Sequence, residues 1–422
     1  MNYRRIKGTN DYLPQQSILI KSIDRELYTI FESYGYKWEI TPVLEPYELF
    51  VRSIGQSSDI VSKEMFVIDS SKSKIALKPE ETAPLFRSVI ENNYISDSSV
   101  KKLCYITPIF RHERPQKGRY REFYQYGIEA INTDSPRRDA EIIEVGSNII
   151  KHFQIENIEL NINSIGCRKC RPSYREGLVQ YLTGVENKLC GNCSKRIGSN
   201  PLRVFDCKNR SCINALEKAP KITDYLCETC SDHFEDVKNG LDERDIKFTV
   251  NPRIVRGLDY YSRTVFEFIE RGDKLGAQST IIAGGRYDYL GDEIAGREIR
   301  AVGFAGGLER LVMSLPPHVR EKMLAEKRTD IVIAYFDKKA LKYAMKTADM
   351  LRKNNISVEI AYEFDKIGKQ IKFASRIDAR YVMVIGDNEV DTNQVTLKHL
   401  DSGRQQTIEN SIEAIKEVIN GE

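Results

Sequence analysis

The chain has 422 residues, of which 41% are hydrophobic and 30% are charged, and its formal net charge is +3. This composition is ordinary for a soluble globular protein, and the length exceeds what one compact core accommodates, so we expect two or three domains. No segment reaches the ~20 continuous apolar residues of a membrane span, and the charged N-terminus has no apolar signal region, which predicts a cytoplasmic protein that does not contact a membrane.

The first part of the chain has the pattern of an α+β domain. Apolar residues recur at helical spacing from Ser17 to Tyr34, and a second helix is predicted from Arg138 to Phe153. Between them, from Tyr36 to Ile131, short β-like runs are separated by proline and glycine. Strand-like character resumes after a cysteine-rich segment, so we interpret residues 1–325 as one domain with an insertion at 167–240.

Eight of the nine cysteines fall in this insertion, whose apolar pattern is mostly helical. They form the pairs Cys167/Cys170, Cys190/Cys193, Cys207/Cys212 and Cys227/Cys230. These spacings are compatible with structural Zn²⁺, whereas disulfides are not expected in a reducing compartment. Eight ligands would build two four-cysteine sites, but spacing does not say which pairs combine, and free thiols or a redox role stay open. The ninth, Cys104, is expected to be a buried apolar residue.

A segment rich in proline and charge, 314–329, predicts a linker. Beyond it, in 330–422, apolar strands alternate with helical stripes, which predicts a small α/β domain with a largely parallel core. The clearest basic feature there is one predicted helix face. Its residues, at spacings of three and four, include Lys366, Lys369, Lys372 and Arg376. Such a face suits a phosphate backbone, although charge runs are more often simply solvated.

The most informative segment for chemistry is IFRHERPQKGRYREFYQYGIEA, residues 109–130. It predicts a strand, a basic turn and a returning strand, with Arg111 and Glu113 on one face of the first strand. The residues that share a face of the second strand are Phe123, Gln125, Gly127 and Glu129. Fixed guanidinium, amide and carboxylate groups suit a polar, anionic ligand, although a solvated hairpin fits the pattern equally well. The phosphate-loop, dinucleotide-binding, hydrolase and metalloprotease motifs do not occur in the sequence.

This segment resembles motif 2 of the class II aminoacyl-tRNA synthetases, and in detail that of the histidyl-tRNA synthetases. VRGLDYYSRTVFEF (255–268) and AGGRYDYL (283–290) resemble two histidine-specific signatures, and AVGFAGGLERL (301–311) resembles motif 3. KGTNDYLP near the start and KPEETA at 78–83 also match the family's pattern. The resemblance extends from about Ile6 to the end of the chain.

The resemblance implies a class II α+β catalytic domain with an antiparallel sheet, whose motifs lie near 31–52, 105–130 and 301–311. It also implies that the cysteine-rich insertion is mainly helical and that 330–422 is an α/β anticodon-binding domain. The expected reaction couples L-histidine to tRNA(His) through a histidyl-adenylate, with ATP bound as its Mg²⁺ complex. A homodimer is expected to form through the first motif.

The resemblance also assigns roles to individual residues. The three catalytic arginines are Arg111, Arg256 and Arg310. The residues expected to bind ATP are Arg111, Glu113, Arg119, Phe123 and Arg310. Those expected to bind histidine are Glu80, Glu81, Thr82, Arg111, Gln125, Glu129, Arg256, Tyr260 and Tyr261. Those expected to contact tRNA are Arg114, Gln116, Lys117, Lys366 and Lys369.

One segment departs from the family pattern. Where the family has R-P-E-G-T, this chain has Lys78-Pro79-Glu80-Glu81-Thr82. Glycine permits close approach of a ligand to the backbone, whereas Glu81 adds a side chain and a negative charge. We therefore expect altered local geometry beside the amino-acid site.

Two alternatives remain open. A histidine-binding regulatory subunit of ATP phosphoribosyltransferase resembles the catalytic domain only, and intact Arg111, Arg256 and Arg310 together with residues 330–422 argue against it. A zinc-dependent nucleic-acid-binding protein would make the cysteine region the functional centre, but it leaves the motifs elsewhere unexplained.

Overall fold

The computed structural model describes residues 3–55, 58, 60–69, 73–96, 99–254, 260–272, 274–276, 279–325 and 328–421. Contacts divide the chain into two compact units, Met1–Arg320 and Glu321–Glu422. Among the described residues, no helix combines the length and the apolar character needed to cross a membrane.

Both units combine helices and strands. The α-helices are α1 (Pro14–Ser33), α2 (Tyr47–Ile54), α3 (Thr82–Glu91), α4 (Pro136–His152), α5 (Arg171–Gly184), α6 (Gly191–Ser199), α7 (Arg210–Ala215), α8 (Glu228–Asp242), α9 (Leu290–Ala295), α10 (Leu308–Ser314), α11 (Pro317–Ala325), α12 (Lys338–Lys353), α13 (Ile367–Arg376), α14 (Asp387–Thr392) and α15 (Ile412–Asn420). The strands are β1 (Lys37–Trp38), β2 (Leu44–Pro46), β3 (Phe66–Asp69), β4 (Lys74–Leu77), β5 (Lys101–Phe110), β6 (Glu122–Ile131), β7 (Ile158–Ser164), β8 (Thr249–Val250), β9 (Ser262–Glu270), β10 (Thr280–Arg286), β11 (Ala301–Gly307), β12 (Ile331–Tyr335), β13 (Val358–Ile360), β14 (Tyr381–Ile385), β15 (Gln394–His399) and β16 (Gln405–Glu409). Shorter helical turns are Ile60–Glu64, Glu186–Lys188, Pro201–Asp206 and Ile222–Tyr225.

The first unit is built on a sheet of eight described strands in the order β1-β5-β6-β11-β10-β9-β7-β8. All central pairs are antiparallel, and only β1 and β8 at the two edges pair in parallel. Helix α4 packs across β9, β10 and β11 with the apolar stripe of Ile142, Val145 and Ile149, which is fully buried. A ~100°-wide apolar stripe is what a helix needs to cover one face of a sheet. The opposite face of the sheet is left for a ligand.

The cysteine-rich insertion lies between β7 and β8 and is helical, as predicted, with α5 to α8 and three short turns. Its own small core combines apolar side chains with two cysteines. The fully buried members of this core are Leu178, Leu182, Cys193, Val204 and Cys212.

The second unit contains a sheet of five described strands in the order β13-β12-β14-β15-β16. Strands β13, β12 and β14 are parallel, as predicted. Strands β15 and β16 add an antiparallel hairpin that the sequence analysis missed. Helices α12 and α15 cover one face of the sheet, and α13 covers the other.

The predicted linker, 314–329, is partly helical in the structure. Helix α11 begins at Pro317, and the boundary between the two compact units falls inside it. Proline is favourable at the first position of a helix because its missing N–H would have no partner there. The proline that suggested a linker therefore starts a helix.

Candidate active site

A cavity of about 310 Å³ lies over β6, β9, β10 and β11. The predicted site residues that line it are Glu80, Thr82, Arg111, Glu113, Arg119, Phe123, Gln125, Glu129, Tyr260, Tyr261 and Arg310. They come from separate segments of the sequence, and the sheet and the start of α3 bring them together. Carboxylates and tyrosines occupy one end of the cavity, and arginines occupy the other.

Glu80 lies just before α3, where its carboxylate accepts hydrogen bonds from the backbone N–H groups of Thr82 and Ala83, both at 2.9 Å. The hydroxyl of Tyr260 donates to the same carboxylate at 3.4 Å. The first N–H groups of a helix have no intrahelical partner, so a carboxylate is favourable there. Burial nevertheless raises the pKa of Glu80. These bonds hold Glu80 and Thr82 side by side at one end of the cavity.

Glu129 lies on β6 deeper in the same end and is almost fully buried. Its carboxylate accepts hydrogen bonds from the Thr82 hydroxyl at 2.8 Å and from the Tyr287 hydroxyl. Burial raises the pKa of Glu129 to about 8, although both hydrogen bonds oppose this shift. A ligand that brings N–H donors or positive charge to this carboxylate would favour its charged form.

Gly303 on β11 makes room for this carboxylate. It is the register partner of Glu129 across the β6–β11 pair. A Cβ added at Gly303 would overlap the Glu129 carboxylate and would lie 2.5 Å from the carbonyl oxygen of Ile128. The absence of a side chain at this position therefore allows the Glu129 side chain to reach over the neighbouring strand.

The opposite end of the cavity contains Arg111, Glu113, Arg119 and Phe123. The Arg111 guanidinium lies 5.5 Å from the centre of the Phe123 ring, and its Nε donates to the carbonyl of Pro79 at 2.8 Å. Glu113 is buried and forms an ion pair with Arg119. Cation–π contact and a fixed backbone hydrogen bond leave the Arg111 guanidinium in one orientation. The result is a flat, positively charged surface beside an aromatic ring.

Arg310, in the first turns of α10, completes this end. Its Nε donates to the carbonyl of Gly118 at 3.0 Å, and its Nη1 donates to the carbonyl of Thr280 at 2.9 Å. Burial lowers the pKa of Arg310, and the positive charges of Arg111 and Arg119 lower it further. Guanidinium groups close enough to repel each other would be stabilised by a polyanion placed between them.

Two details of the predicted hairpin differ in the structure. Strand β5 ends at Phe110, which pairs with Glu122, so Arg111 and Glu113 lie in the loop rather than on the strand. The chain turns there, because the N–H of Glu113 bonds to the carbonyl of Arg111 at 2.8 Å. Both side chains still line the cavity.

Glu81 is placed differently from the prediction. It does not line the cavity, and its carboxylate pairs with Lys78 at 2.7 Å, with both side chains fully buried. Thr41 donates to Glu81 at 2.6 Å and accepts from Lys78 at 2.9 Å. The structure thus corrects the expectation that Glu81 contacts the amino acid, since its carboxylate is bound by Lys78 and Thr41. Burial raises the pKa of Glu81 to about 7 although Lys78 opposes the shift.

Arg256, predicted as a catalytic and histidine-binding residue, lies outside the described residues. The sequence analysis missed Tyr287, the hydroxyl partner of Glu129, although it lies in the segment 283–290 that resembles a histidine-specific signature. It also missed Glu309, which lines the cavity and accepts hydrogen bonds from the Tyr12 hydroxyl at 2.7 Å and the Tyr124 N–H at 3.0 Å. These bonds join the N-terminal segment to α10.

The residues predicted to contact tRNA lie on two exposed surfaces. Arg114, Gln116 and Lys117 are exposed in the loop between β5 and β6, where the backbones of Gln116 and Arg119 bond to each other at 3.1 and 2.9 Å. Lys366 and Lys369 are exposed at the start of α13 in the second unit. Their contacts with tRNA stay predictions.

The eight paired cysteines form two clusters. Within each cluster, the sulfur atoms all lie within 4.8 Å of one another. The first cluster comprises Cys167, Cys170, Cys227 and Cys230, and the second comprises Cys190, Cys193, Cys207 and Cys212. Residue spacing did not show which cysteine pairs combine. In the structure, Cys167/Cys170 combines with Cys227/Cys230, and Cys190/Cys193 combines with Cys207/Cys212. Cys104, the remaining cysteine, is fully buried in β5, as expected.

Comparison with known proteins identifies the family. A family model described as histidyl-tRNA synthetase matches residues 8–169 and 205–311, and one described as an anticodon binding domain matches residues 330–420. The chain belongs to the histidyl-tRNA synthetase family. The predicted class II fold and family are both confirmed.

Full-length relatives agree with this family. The chain is 40% identical to a histidine–tRNA ligase of Syntrophotalea carbinolica, over 99% of this chain and 98% of that protein. It is 42% identical to a histidine–tRNA ligase of Aquifex aeolicus, over 97% of this chain and 99% of that protein. A crystal structure of apo histidyl-tRNA synthetase from S. aureus superimposes with a TM-score of 0.80 at 30% identity, covering 99% of both chains.

Proposed function

We propose that the chain is a histidine–tRNA ligase of class II that works in two steps. A carboxylate oxygen of histidine attacks the α-phosphorus of ATP, the α–β phosphoanhydride bond breaks, and histidyl-adenylate and pyrophosphate form. A ribose hydroxyl at the 3′ end of tRNA(His) then attacks the activated carbonyl, the bond between this carbonyl carbon and the phosphate oxygen breaks, and histidyl-tRNA(His), AMP and a proton are released. The observation that carries this proposal is one cavity with an arginine-rich end and a carboxylate–tyrosine end.

The arginine-rich end suits the triphosphate. Arg111 is proposed to contact the α-phosphate and Arg310 the γ-phosphate, with Arg256 as a further catalytic arginine. Transfer of a phosphoryl or adenylyl group is accelerated chiefly by positioning and by neutralising the developing charge. The mutual repulsion of Arg310, Arg111 and Arg119 would be relieved as the polyanion binds.

The adenine is proposed to stack on the ring of Phe123, with its amino group bound by Glu113. An aromatic ring offers a large contact area at a small cost in side-chain entropy. ATP is proposed to bind as its Mg²⁺ complex. Glu267, a carboxylate that lines the cavity beside Thr280, has the oxygen ligands that Mg²⁺ prefers.

The other end suits histidine. Glu80, Thr82 and Gln125 are proposed to bind its α-amino group, while Glu129 and Tyr261 bind the two imidazole nitrogens. A carboxylate can accept a hydrogen bond from one imidazole nitrogen, and a phenol hydroxyl can bond to the other. Side chains that lack these nitrogens cannot form both bonds. A site with buried polar groups lowers kcat/KM for amino acids without these nitrogens by a factor of ~10⁴ or more, because the buried groups are then left without partners.

The two alternatives are less well supported. The regulatory-subunit alternative does not account for the anticodon binding domain matched at 330–420, nor for Arg111 and Arg310 in the cavity. A nucleic-acid-binding protein centred on the cysteines does not account for the cavity. The cysteines are proposed to stabilise structure rather than to take part in the reaction.

A homodimer is proposed to form through the segment 31–52. Exposed apolar side chains occur in this segment and in the three-stranded sheet β2-β4-β3, whose strand β2 belongs to the segment. They include Ile40, 80% exposed, Leu44, 52% exposed, and Ile68, 49% exposed. Large apolar side chains exposed together mark interaction surfaces. A cytoplasmic location stays a prediction.

The test is histidine-dependent exchange of radiolabelled pyrophosphate into ATP, followed by charging of a tRNA(His) transcript. We expect exchange with histidine and with none of the other amino acids, and charging of tRNA(His) over a tRNA of different identity. Folded protein that binds histidine yet supports no exchange would contradict the proposal and favour the regulatory subunit.

A further inference from the structure

We propose that the eight clustered cysteines hold two structural Zn²⁺ ions. The neck site comprises Cys167, Cys170, Cys227 and Cys230, and the module site comprises Cys190, Cys193, Cys207 and Cys212. The neck site additionally positions one wall of the histidine pocket, a part of the proposal that rests on the proposed function. Metal binding itself does not depend on that function.

The sulfur positions fit a tetrahedral metal. Zinc–sulfur bonds of ~2.3 Å in a tetrahedron place the sulfurs ~3.8 Å apart. The Sγ–Sγ distances are 3.6 Å for Cys167–Cys170, 3.9 Å for Cys167–Cys227 and 3.9 Å for Cys190–Cys207. A disulfide would require ~2.05 Å. These three separations match those that a central ion imposes, and in both clusters all four sulfur atoms lie within 4.8 Å of one another.

Backbone N–H groups point at the sulfurs in both sites. In the neck site the N–H of Cys227 donates to Cys170 at 3.2 Å, and in the module site the N–H of Cys190 donates to Cys212 at 3.1 Å. Such bonds disperse the charge of metal-bound thiolates and orient them. Two of the four cysteines in each site are buried and two are partly exposed, which leaves a route for the ion to enter.

The neck site joins the loop where the chain enters the insertion to the start of the last helix of the insertion, α8. Cys167 and Cys170 follow β7, and Cys227 and Cys230 lie at the start of α8. Gly166 has a φ of +63°, and a Cβ there would lie 2.7 Å from the Cβ of Cys170, so the loop that presents the first two ligands needs glycine.

The module site lies inside the insertion. Cys190 and Cys193 lie at the start of α6, of nine residues, and Cys207 and Cys212 lie before and within α7, of six. Helices this short are marginal alone, and a core this small is usually reinforced by metals or disulfides. With Cys193 and Cys212 fully buried among apolar side chains, the metal would bind at the centre of the small core.

Two arginines join the neck site to the catalytic domain, and one of them reaches the histidine pocket. Arg168, between two ligands, pairs with Asp292 at 3.2 Å, and its guanidinium lies 4.1 Å from the centre of the Tyr289 ring. Arg171, directly after Cys170, donates to the backbone carbonyl of Tyr261, which lines the cavity. A metal that fixes this loop therefore fixes the backbone of Tyr261, whereas the module site makes no such connection among the contacts described.

Metal content is the first test. The full chain, purified without chelator, is assayed for zinc by inductively coupled plasma mass spectrometry. We expect about two zinc ions per chain in the wild type and in the control variant Cys104→Ala. The variants Cys227→Ser/Cys230→Ser and Cys207→Ser/Cys212→Ser should each retain about one zinc ion per chain. Co²⁺ substituted into the wild type should give the visible absorption of tetrahedral thiolate ligation. Less than half an equivalent of zinc with no cobalt spectrum would overturn the proposal, and this result does not require the variants to fold.

Kinetics separate the roles of the two sites. Loss of the neck metal should raise the KM for histidine about fivefold, the factor that one net hydrogen bond represents, with a smaller change in the KM for ATP. Cys207→Ser/Cys212→Ser should leave both KM values of pyrophosphate exchange within about twofold of wild type while lowering the melting temperature. Equal effects of the two variants on the KM for histidine would overturn the positioning role. Exchange absent from zinc-loaded wild type would instead contradict the proposed function.

Discussion

Gly303 is a residue at which one added methyl group should strongly reduce activity. Gly303→Ala places a Cβ where the Glu129 carboxylate now lies, so the carboxylate must move. Misplacing a substrate-binding group by ~1 Å can reduce the rate ~10²-fold. We expect histidine-dependent exchange to fall by about that factor, with the KM for ATP little changed.

Gly184→Ala, at the end of α5, is the matched control because a Cβ there meets no atom within 4 Å. It should retain wild-type exchange and stability. Wild-type histidine kinetics in Gly303→Ala would show that the Glu129 carboxylate does not need its present position.

Glu129 should also make stability depend on pH. Its pKa rises on folding from 4.5 to about 8, so between these values the folded protein holds a proton that the unfolded chain has released. Stability from this group is therefore present at low pH and is lost as pH rises through this window, by an amount on the order of 5 kcal/mol.

Glu129→Gln should remove this dependence. The amide oxygen can still accept from Thr82 and Tyr287, so the variant should melt at about the same temperature as wild type at pH 5 and several degrees higher at pH 8.5. Its selectivity for histidine should be lost. Melting curves at the two pH values test this prediction. If the melting temperature of the wild type rose relative to that of Glu129→Gln between pH 5 and pH 8.5, the predicted direction of the pH dependence would be wrong.

At this scale the sequence predicts which residues converge but not how they are held. Glu80, Thr82 and Glu129 could be predicted because they lie in motifs, and each lines the cavity. Two features depend on the register of strands β6, β11 and β10, which residue spacing alone does not give. One is the space that Gly303 leaves for the Glu129 carboxylate, and the other is the hydrogen bond from the Tyr287 hydroxyl to Glu129. The Glu81 side chain was misplaced because the sequence analysis considered only the added charge of Glu81 and did not pair it with Lys78, three residues earlier.

The turn that precedes α3 depends on the buried Lys78–Glu81 pair. This pair and Thr41 fix the segment from which Glu80 and Thr82 face the cavity. Glu81→Gln would leave the Lys78 charge without its carboxylate, and breaking a buried pair in this way costs about 3–5 kcal/mol. We expect a large loss of thermal stability and a higher KM for histidine.

Glu235→Gln is the control, since its pair with Lys238 is partly exposed and should change stability by less than about 1 kcal/mol. The double variant Lys78→Met/Glu81→Gln removes both charges of the pair. It should be more stable than Glu81→Gln alone, because no buried charge is then left without a partner. Additive effects of the two substitutions would show that the pair is not a unit.

Elements with strong periodicity were predicted well, and elements defined by tertiary contacts were not. Helices α1 and α4 follow the predicted apolar stripes. The end of β5 was missed because the turn after Phe110 depends on backbone bonds to other segments, such as the N–H of His112 to the carbonyl of Glu64. The β15–β16 hairpin was missed because β16 is largely exposed and polar and lacks the apolar run that marks a strand.

The division into two units predicts that adenylate formation and tRNA binding can be separated. The cavity lies within Met1–Arg320, whereas α13 belongs to Glu321–Glu422. Lys369→Glu reverses one exposed charge on α13 and should leave histidine-dependent exchange unchanged. It should raise the KM for tRNA and lower the slope of log affinity against log salt by about one, as expected for the loss of one phosphate contact.

Lys346→Glu supplies the same charge change on the other face of the same domain. Lys346 is exposed on α12, which covers the face of the sheet opposite to α13. It should leave both the KM for tRNA and the salt slope near their wild-type values. Equal losses in the two variants would mean that net charge, rather than the α13 face, attracts tRNA. A loss of exchange in Lys369→Glu would mean that the two units do not act separately.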